Sequence, residues 1–259
     1  MSEELLIERR DGIVFVTLNR PQARNAMTFP MYEGLAKLAT EANTDEDIKV
    51  IIITGAGEKA FAAGTDISQF REFKTAADAL AYEEKIDRIM TALENCQKPT
   101  IAAIAGAATG GGAAIASVCD LRIGAANARF GFPIAKTLGN CLSMANYARL
   151  ATMVGPTRVM DLVYTARLLG AEEMKAIGLL SEILPDHASL QARAEELGRM
   201  LLTHAPLTMR ATKEAMRRLR APLREIHGDD LVEMCFTSND FAEGVESFLA
   251  RRPAKWTGT

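Results

Sequence analysis

The chain has 259 residues, 48% of them apolar, and a formal net charge of −3; it can build a sizeable core and lacks the basic footprint of a nucleic-acid binder. No apolar run reaches 18 residues without a glycine, and the acidic opening "MSEELLIERRDG" has no apolar centre, which argues against a membrane span and a signal peptide. The four cysteines (Cys96, Cys119, Cys141, Cys235) form no CxxC pair, and none of the three histidines (His187, His204, His227) sits in a metal-binding spacing, so a reducing cytoplasm and no structural metal are expected.

Taken in chain order, "LLIERRDGIVFVTLNRP" predicts two strands around a turn at Asp11-Gly12. "TFPMYEGLAKLATEANTD" predicts a helix with Thr28 as N-cap and Met31, Leu35 and Leu38 on one face. "KVIIITG" is a continuous β-branched run, as expected for a strand covered on both faces. "TAADALAYEEKIDRIMTALENC" is a long amphipathic helix with Leu80, Ile86, Met90 and Leu93 inward. "PTIAAIAG" and "CDLRIGA" are further buried strands, and "SEILP" is a short one between helical stretches. "RATKEAMRRLR" carries an acid at helical spacing and reads as a solvated helix face. Strands separated by helices over the first two-thirds predict an α/β fold. The division expected is a core domain over 1–198 and a helical region over 199–259. The latter has apolar positions Leu231, Met234, Phe241, Val245, Phe248 and Leu249, to be packed on its own core or on a neighbouring subunit.

Three glycine sites carry the chemistry. "TGAGEKA" fits GxGxxA with Gly55, Gly57 and Ala60, but no helix begins in it and the next buried strand is too distant for a compact βαβ unit, so nicotinamide or flavin binding is disfavoured. "KAFAAGTDI" surrounds Gly64 with small residues, either for a close-packed turn or to bare a backbone N–H to a ligand. "PTIAAIAGAATGGGAAIASVCDLRI" places Gly110, Gly111 and Gly112 before an apolar helix. Helix-start amides have no partner within the helix and lie at its positive end, so they can meet an anion or a developing oxyanion. A tight helix–strand crossing would use the same small residues.

Together these loops resemble the crotonase (enoyl-CoA hydratase/isomerase) superfamily. The likeness runs through "LNRPQARNAMT", "VIIITGAGEKAFAAGTDI", "IAGAATGGGAAIASVCDLRIGAANARFGFP", "TARLLGAEEMKAIGLLSEI" and "DFAEGVESFLARRPAKW". The resemblance implies a spiral of ββα turns with a C-terminal helical trimerisation region, assembled as a homotrimer or a dimer of trimers. It implies an acyl-CoA thioester as substrate, with coenzyme A arriving on the substrate and no separate cofactor. It also implies two oxyanion-hole amides, which fall at Thr65 and Gly111. Substrate and coenzyme A contacts are implied at Arg24, Ala26, Ala63, Gly64, Asp66, Ile67, Gly110, Pro133 and Ile134. Arg251, Arg252 and Lys255 could meet the coenzyme A phosphates, although a solvated basic tail is the simpler reading.

The chain departs from the hydratase pattern at its acids. Hydratases read like GGGxE and FGxPE; here the stretches are "GGGAA" and "FGFPI", with Ala114 and Ile134 at the acidic positions. Hydration needs one group to hold the water and another to protonate the α-carbon, and neither side chain can do so. The segment "KTLGNCLSMANYARL" offers Lys136, Thr137, Asn140, Cys141, Ser143 and Asn146 as replacements. Asn140 could orient a water or a carbonyl. Cys141 is a possible nucleophile or base, with a buried inert thiol as the plainer reading. The alternatives are a non-catalytic acyl-CoA-binding protein, or a divergent isomerase, decarboxylase or hydrolase of the same superfamily.

Overall fold

The alternating apolar residues of the N-terminus form β1 (Leu5–Arg10) and β2 (Ile13–Leu18), antiparallel across Asp11 and Gly12, which both adopt positive φ in this computed structural model. The structure describes residues 3–72, 75–224 and 226–259. Next come α1 (Phe29–Glu41), β3 (Val50–Gly55), β4 (Ala60–Ala63) and α2 (Ala76–Glu94). Then follow β5 (Thr100–Ile104), β6 (Ala107–Thr109), α3 (Gly111–Val118), β7 (Leu121–Ala125), β8 (Arg129–Gly131) and α4 (Ile134–Thr137). The chain continues as α5 (Met144–Val154), α6 (Pro156–Thr165), β9 (Leu169–Gly170), α7 (Ala171–Ala176) and β10 (Glu182–Leu184). It ends with α8 (His187–Leu202), α9 (Pro206–Arg224), α10 (Asp229–Phe236) and α11 (Asn239–Leu249). Three times in succession a strand of the larger sheet (β3, β5, β7) is followed by a strand of a smaller sheet (β4, β6, β8) and then a helix. This is the ββα repeat that the family resemblance implies.

One unit comprises Met1–Thr65, Ile89–Phe130 and Leu169–Leu219. Its larger sheet has the order β1-β2-β3-β5-β7-β10, parallel from β2 onward. β3 is buried at every residue, as its unbroken β-branched run requires. α8 covers this sheet with Leu190, Ala194, Leu197 and Leu201, spaced along one helical face, against Ile13, Val50, Ile52, Ile101 and Ile123. Each large apolar side chain so buried contributes roughly 1.5–3 kcal/mol. The smaller sheet has the order β4-β6-β8-β9. After Gly55 and Gly57 the next element is the strand β4, so the GxGxxA stretch has no helix to receive a pyrophosphate. Thr28 stands at the N-cap of α1, but its hydroxyl donates to Glu4 at 2.8 Å and makes no cap bond. Pro30 in the first turn has removed one of the amides such a cap would take.

The other unit comprises Asp66–Arg88, Gly131–Leu168 and Arg220–Thr259. Phe70, Ala79, Leu138, Cys141, Val232, Phe236, Phe241 and Val245 form its core. Phe70 meets Tyr82 edge-on at 4.9 Å between centroids. Phe241 and Val245 point inward as expected, whereas α10 buries Val232 and Phe236 and leaves Leu231 and Met234 exposed. Val232 and Phe236, one turn apart, are the pair that packs with Phe241. The tail folds back on α11: Asp240 accepts from the Thr257 and Gly258 amides, and Arg252 pairs with Glu243 at 2.6 Å. Arg252 is thus engaged within its own unit, in keeping with the solvated-tail reading. Among the described residues no helix is long and apolar enough to cross a membrane.

Candidate functional site

Two strand ends build the candidate site in the first unit. β4 and β6 are parallel neighbours with Ala63 opposite Thr109. Each is followed by a glycine at positive φ, Gly64 at 93° and Gly110 at 50°. Side chains disfavour that region, so glycine lets both strands turn at the same level. Each turn delivers one further residue, Thr65 and Gly111. Their equal offset from a paired position sets them side by side. A Cβ built on Gly110 would stand 3.5 Å from Gly64 Cα, and one on Gly111 would stand 3.1 Å from Thr65 Oγ1.

Gly111 is the first residue of α3, where an amide has no acceptor within its own helix. The helix behind it is buried from Gly112 to Val118, so its positive end acts in apolar surroundings. Gly112 serves the crossing: a Cβ there would strike Ala62 of β4. The tight-crossing reading of the glycine triplet therefore holds at Gly112. Ala114, in the first turn of α3, is a buried methyl at 4% exposure.

The Arg24–Met27 stretch also lies along β4. The Ala63 amide donates to Arg24 O at 3.0 Å, and the Met27 amide donates to Gly64 O at 2.8 Å. Asn25, fully buried, anchors the stretch by donating to Ala56 O and Ala60 O. Arg24 is left exposed and Ala26 half-buried. Of the residues predicted from sequence, Arg24, Ala26, Ala63, Gly64, Thr65, Gly110 and Gly111 are gathered in this one unit.

Sequence reasoning passed over Tyr32. It projects from α1, is fully buried, and its hydroxyl lies 2.9 Å from Thr65 Oγ1. A Cβ on Gly111 would collide with the same hydroxyl. The signal was available: Tyr32 is a polar-tipped residue three positions before Leu35, inside the apolar face of α1.

The remaining predicted residues belong to the second unit. Asp66 Oδ1 accepts from the Ser68 amide and hydroxyl, at 3.2 and 2.7 Å, and so opens the short helical turn Ile67–Glu72. Ile67 packs on the aromatic core. Pro133 caps α4 and accepts from the Lys136 and Thr137 amides, and Ile134 is buried at 6% exposure. Asn140 Oδ1 is buried with no donor among the described residues. Cys141 lies in the core with its thiol directed at Leu231 O, 3.4 Å away. Contact with the Cys235 thiol, then burial, push the Cys141 thiol well above its usual range. That is the behaviour of an inert thiol rather than of a ready thiolate. Ser143 caps α5 and donates to Asp87 at 2.7 Å.

Comparison with known proteins follows the same lines. The enoyl-CoA hydratase/isomerase family model matches residues 8–259. A probable enoyl-CoA hydratase of Mycobacterium bovis is 37% identical over 265 aligned positions, with 98% of each chain covered. A short-chain-enoyl-CoA hydratase of Clostridium acetobutylicum is 31% identical, over 96% of this chain and 95% of its own. The crystal structure of an enoyl-CoA hydratase from Mycobacterium avium subsp. paratuberculosis matches with a TM-score of 0.84 and 29% identity, covering 98% of both chains.

Proposed function

The chain belongs to the enoyl-CoA hydratase/isomerase family, and on that premise we propose that it is an enzyme of acyl-CoA thioesters that holds an enolate with the Thr65 and Gly111 amides. The single observation that carries this reading is the matched pair of turns, which sets two backbone donors level at the ends of β4 and β6. As a thioester loses an α-proton, or gains a nucleophile at its β-carbon, negative charge collects on the carbonyl oxygen. Preorganised donors aimed at that oxygen stabilise the charged state more than the ground state, and losing one typically costs about 10²–10³ in rate. Arg24, Ala26, Ala63, Gly64 and Gly110 surround those donors and are assigned to the coenzyme A moiety and the thioester. Asp66, Ile67, Pro133 and Ile134 are retained as substrate contacts of lesser weight.

Ordinary hydration is not the activity assigned. Ala114 and Ile134 are buried and apolar where the two acids would stand. A divergent isomerase, decarboxylase or hydrolase of the same superfamily is the alternative, and a double-bond shift too needs at least one base, whose commonest family position is also Ile134. The same two residues favour a second reading, an acyl-CoA-binding protein without turnover. The active form assigned is a homotrimer or a dimer of trimers, and the exposed Leu231, Met234 and Phe248 supply apolar surface for such an assembly. Four unpaired cysteines suit a cytoplasmic setting.

The test is a panel of enoyl-, 3-enoyl-, 3-hydroxy- and malonyl-type CoA thioesters, followed by mass spectrometry for product and by calorimetry for binding. Turnover of at least one is expected. Tight binding of several with turnover of none would replace the enzyme reading with the binding-protein reading.

A further inference from the structure

Two of the four cysteines meet inside the second unit. Cys141 follows α4 and lies in the aromatic core at 8% exposure, and the half-buried Cys235 of α10 packs on the same core. The Cys141 sulfur stands 3.4 Å from Leu231 O. In a helix that carbonyl faces the amide four residues on, here that of Cys235, and side chains lean back over the preceding turn. A sulfur seated on Leu231 O therefore lies against the Cys235 side chain, and the two thiols are in hydrogen-bonding contact. Cys96 and Cys119 lie in the first unit at 1% and 5% exposure, where burial pushes both thiols up.

The pair is asymmetric. The Cys141 thiol has one proton and faces two acceptors, Leu231 O and the Cys235 sulfur. Turned to the sulfur, it holds the Cys235 thiol below its usual range against the opposing effect of burial. The thiolate is the nucleophilic form, so the more exposed member of the pair is also the more reactive one. Glu83 of α2 faces Cys141 as well. It lies three residues after Leu80 and three before Ile86, so helical spacing turns it inward with them, at 8% exposure. Burial first, and then the charge of Asp87, push its carboxyl up to about 8, so near neutral pH it is uncharged and does not repel a thiolate. An accessible, acidic thiol with a second thiol in contact is the arrangement that oxidants modify selectively.

We propose that Cys235 and Cys141 are a modification site, joined in a reversible disulfide when the protein meets hydrogen peroxide. The inference is independent of the acyl-CoA reading. In the first step the Cys235 thiolate attacks one peroxide oxygen. A sulfur–oxygen bond forms, the oxygen–oxygen bond breaks, and the departing hydroxide takes a proton from solvent. In the second step the Cys141 sulfur attacks the Cys235 sulfenic acid. The sulfur–sulfur bond forms, the sulfur–oxygen bond breaks, and the hydroxyl leaves as water with the Cys141 proton. The two thiols together lose two electrons, and the peroxide is reduced to two waters. A thiol reductant reverses the bond by exchange, so in a reducing compartment it is transient rather than structural. While it lasts it ties the polar run 136–146 to α10.

Mass spectrometry reads the modification directly. The whole reduced protein is treated with hydrogen peroxide, its remaining thiols are blocked with N-ethylmaleimide, and intact mass and peptide maps are recorded. The expected product has lost two hydrogens, carries a peptide cross-linked between Cys141 and Cys235, and regains its mass with dithiothreitol. Cys141→Ala should leave Cys235 as a sulfenic acid that dimedone traps. Cys235→Ser should slow the oxidation of Cys141 by about tenfold or more. Where the core does not tolerate Cys141→Ala, wild type alone decides: without peroxide, N-ethylmaleimide should label Cys235 of the native protein about tenfold faster than Cys141. Peroxide-treated, folded wild type that keeps both thiols overturns the inference. So does a disulfide between two chains, or Cys235 carried past the sulfenic acid while Cys141 stays free. Each of these results leaves the acyl-CoA reading standing.

Discussion

The Tyr32 hydroxyl lies 2.9 Å from Thr65 Oγ1 and also occupies the space that a side chain on Gly111 would need. One buried phenol from α1 therefore touches both residues whose amides are assigned to the thioester oxygen. It does not carry the donors, but it packs against the residues that do. Tyr32→Phe keeps the ring and removes that link. The expected cost is about 1 kcal/mol of stability. Turnover should fall roughly tenfold or more, because a small misplacement of oxyanion donors is costly. KM should move little. Steady-state kinetics beside a melting curve checks this, and a fall in KM-linked binding with kcat intact would assign Tyr32 to ground-state binding.

A second consequence concerns the pair Tyr32 and Gly111. Gly111→Ala retains the amide but drives a methyl into the Tyr32 hydroxyl, an overpacking expected to cost about 1–3 kcal/mol. With the hydroxyl removed, the nearest ring carbon is 3.2 Å from the new methyl, which a small shift relieves. The double variant Tyr32→Phe/Gly111→Ala should therefore be more stable than the sum of the singles by about 1 kcal/mol. Chemical denaturation of the four proteins measures the coupling, and strict additivity would place the two groups out of contact.

Glu83 predicts the direction of a pH effect on stability. The unfolded carboxyl ionises near 4.5, whereas the folded one keeps its proton up to about 8. Between those values the folded state binds the extra proton, so this group's contribution falls as pH rises through the window and levels off above about 8. The loss is on the order of 5 kcal/mol at its full extent. Glu83→Gln should flatten that slope when denaturation midpoints are compared across pH 5 to 8.5.

Coenzyme A binding separates two arginines. Arg24 is exposed on the stretch that pairs with β4, whereas Arg252 is held by Glu243 at the tail. Arg24→Ala should weaken coenzyme A binding several-fold by calorimetry. Arg252→Ala should leave it within about twofold, since an exposed ion pair contributes little.

The architecture was legible because its signals are local. β3 announced itself by an unbroken apolar run, and the hairpin by Asp11-Gly12 between alternating residues. The glycines after β4 and β6 were visible as a composition, and a family likeness was needed to give them a joint role. Their actual relation depends on the register of Ala63 with Thr109, a pairing of residues far apart in the chain. On α10 several apolar residues compete for one face, and only the aromatic partners decide which are buried. Tyr32 and Glu83 were hidden for a different reason. Each sits within an apolar stripe whose pattern was read for its hydrophobic members, and a polar group on such a stripe gains meaning only once its neighbours in space are known.

The vibrational frequency of a bound thioester carbonyl tests the central claim most directly. Crotonyl-CoA labelled with ¹³C at the thioester carbonyl, or the tightest-binding thioester of the panel so labelled, is bound to the protein and examined by difference infrared spectroscopy. Two amide donors at Thr65 and Gly111 should shift the carbonyl stretch clearly below its value in water, with a smaller shift in Tyr32→Phe. A bound thioester whose carbonyl stretch stays at its aqueous frequency would contradict the assignment of those amides.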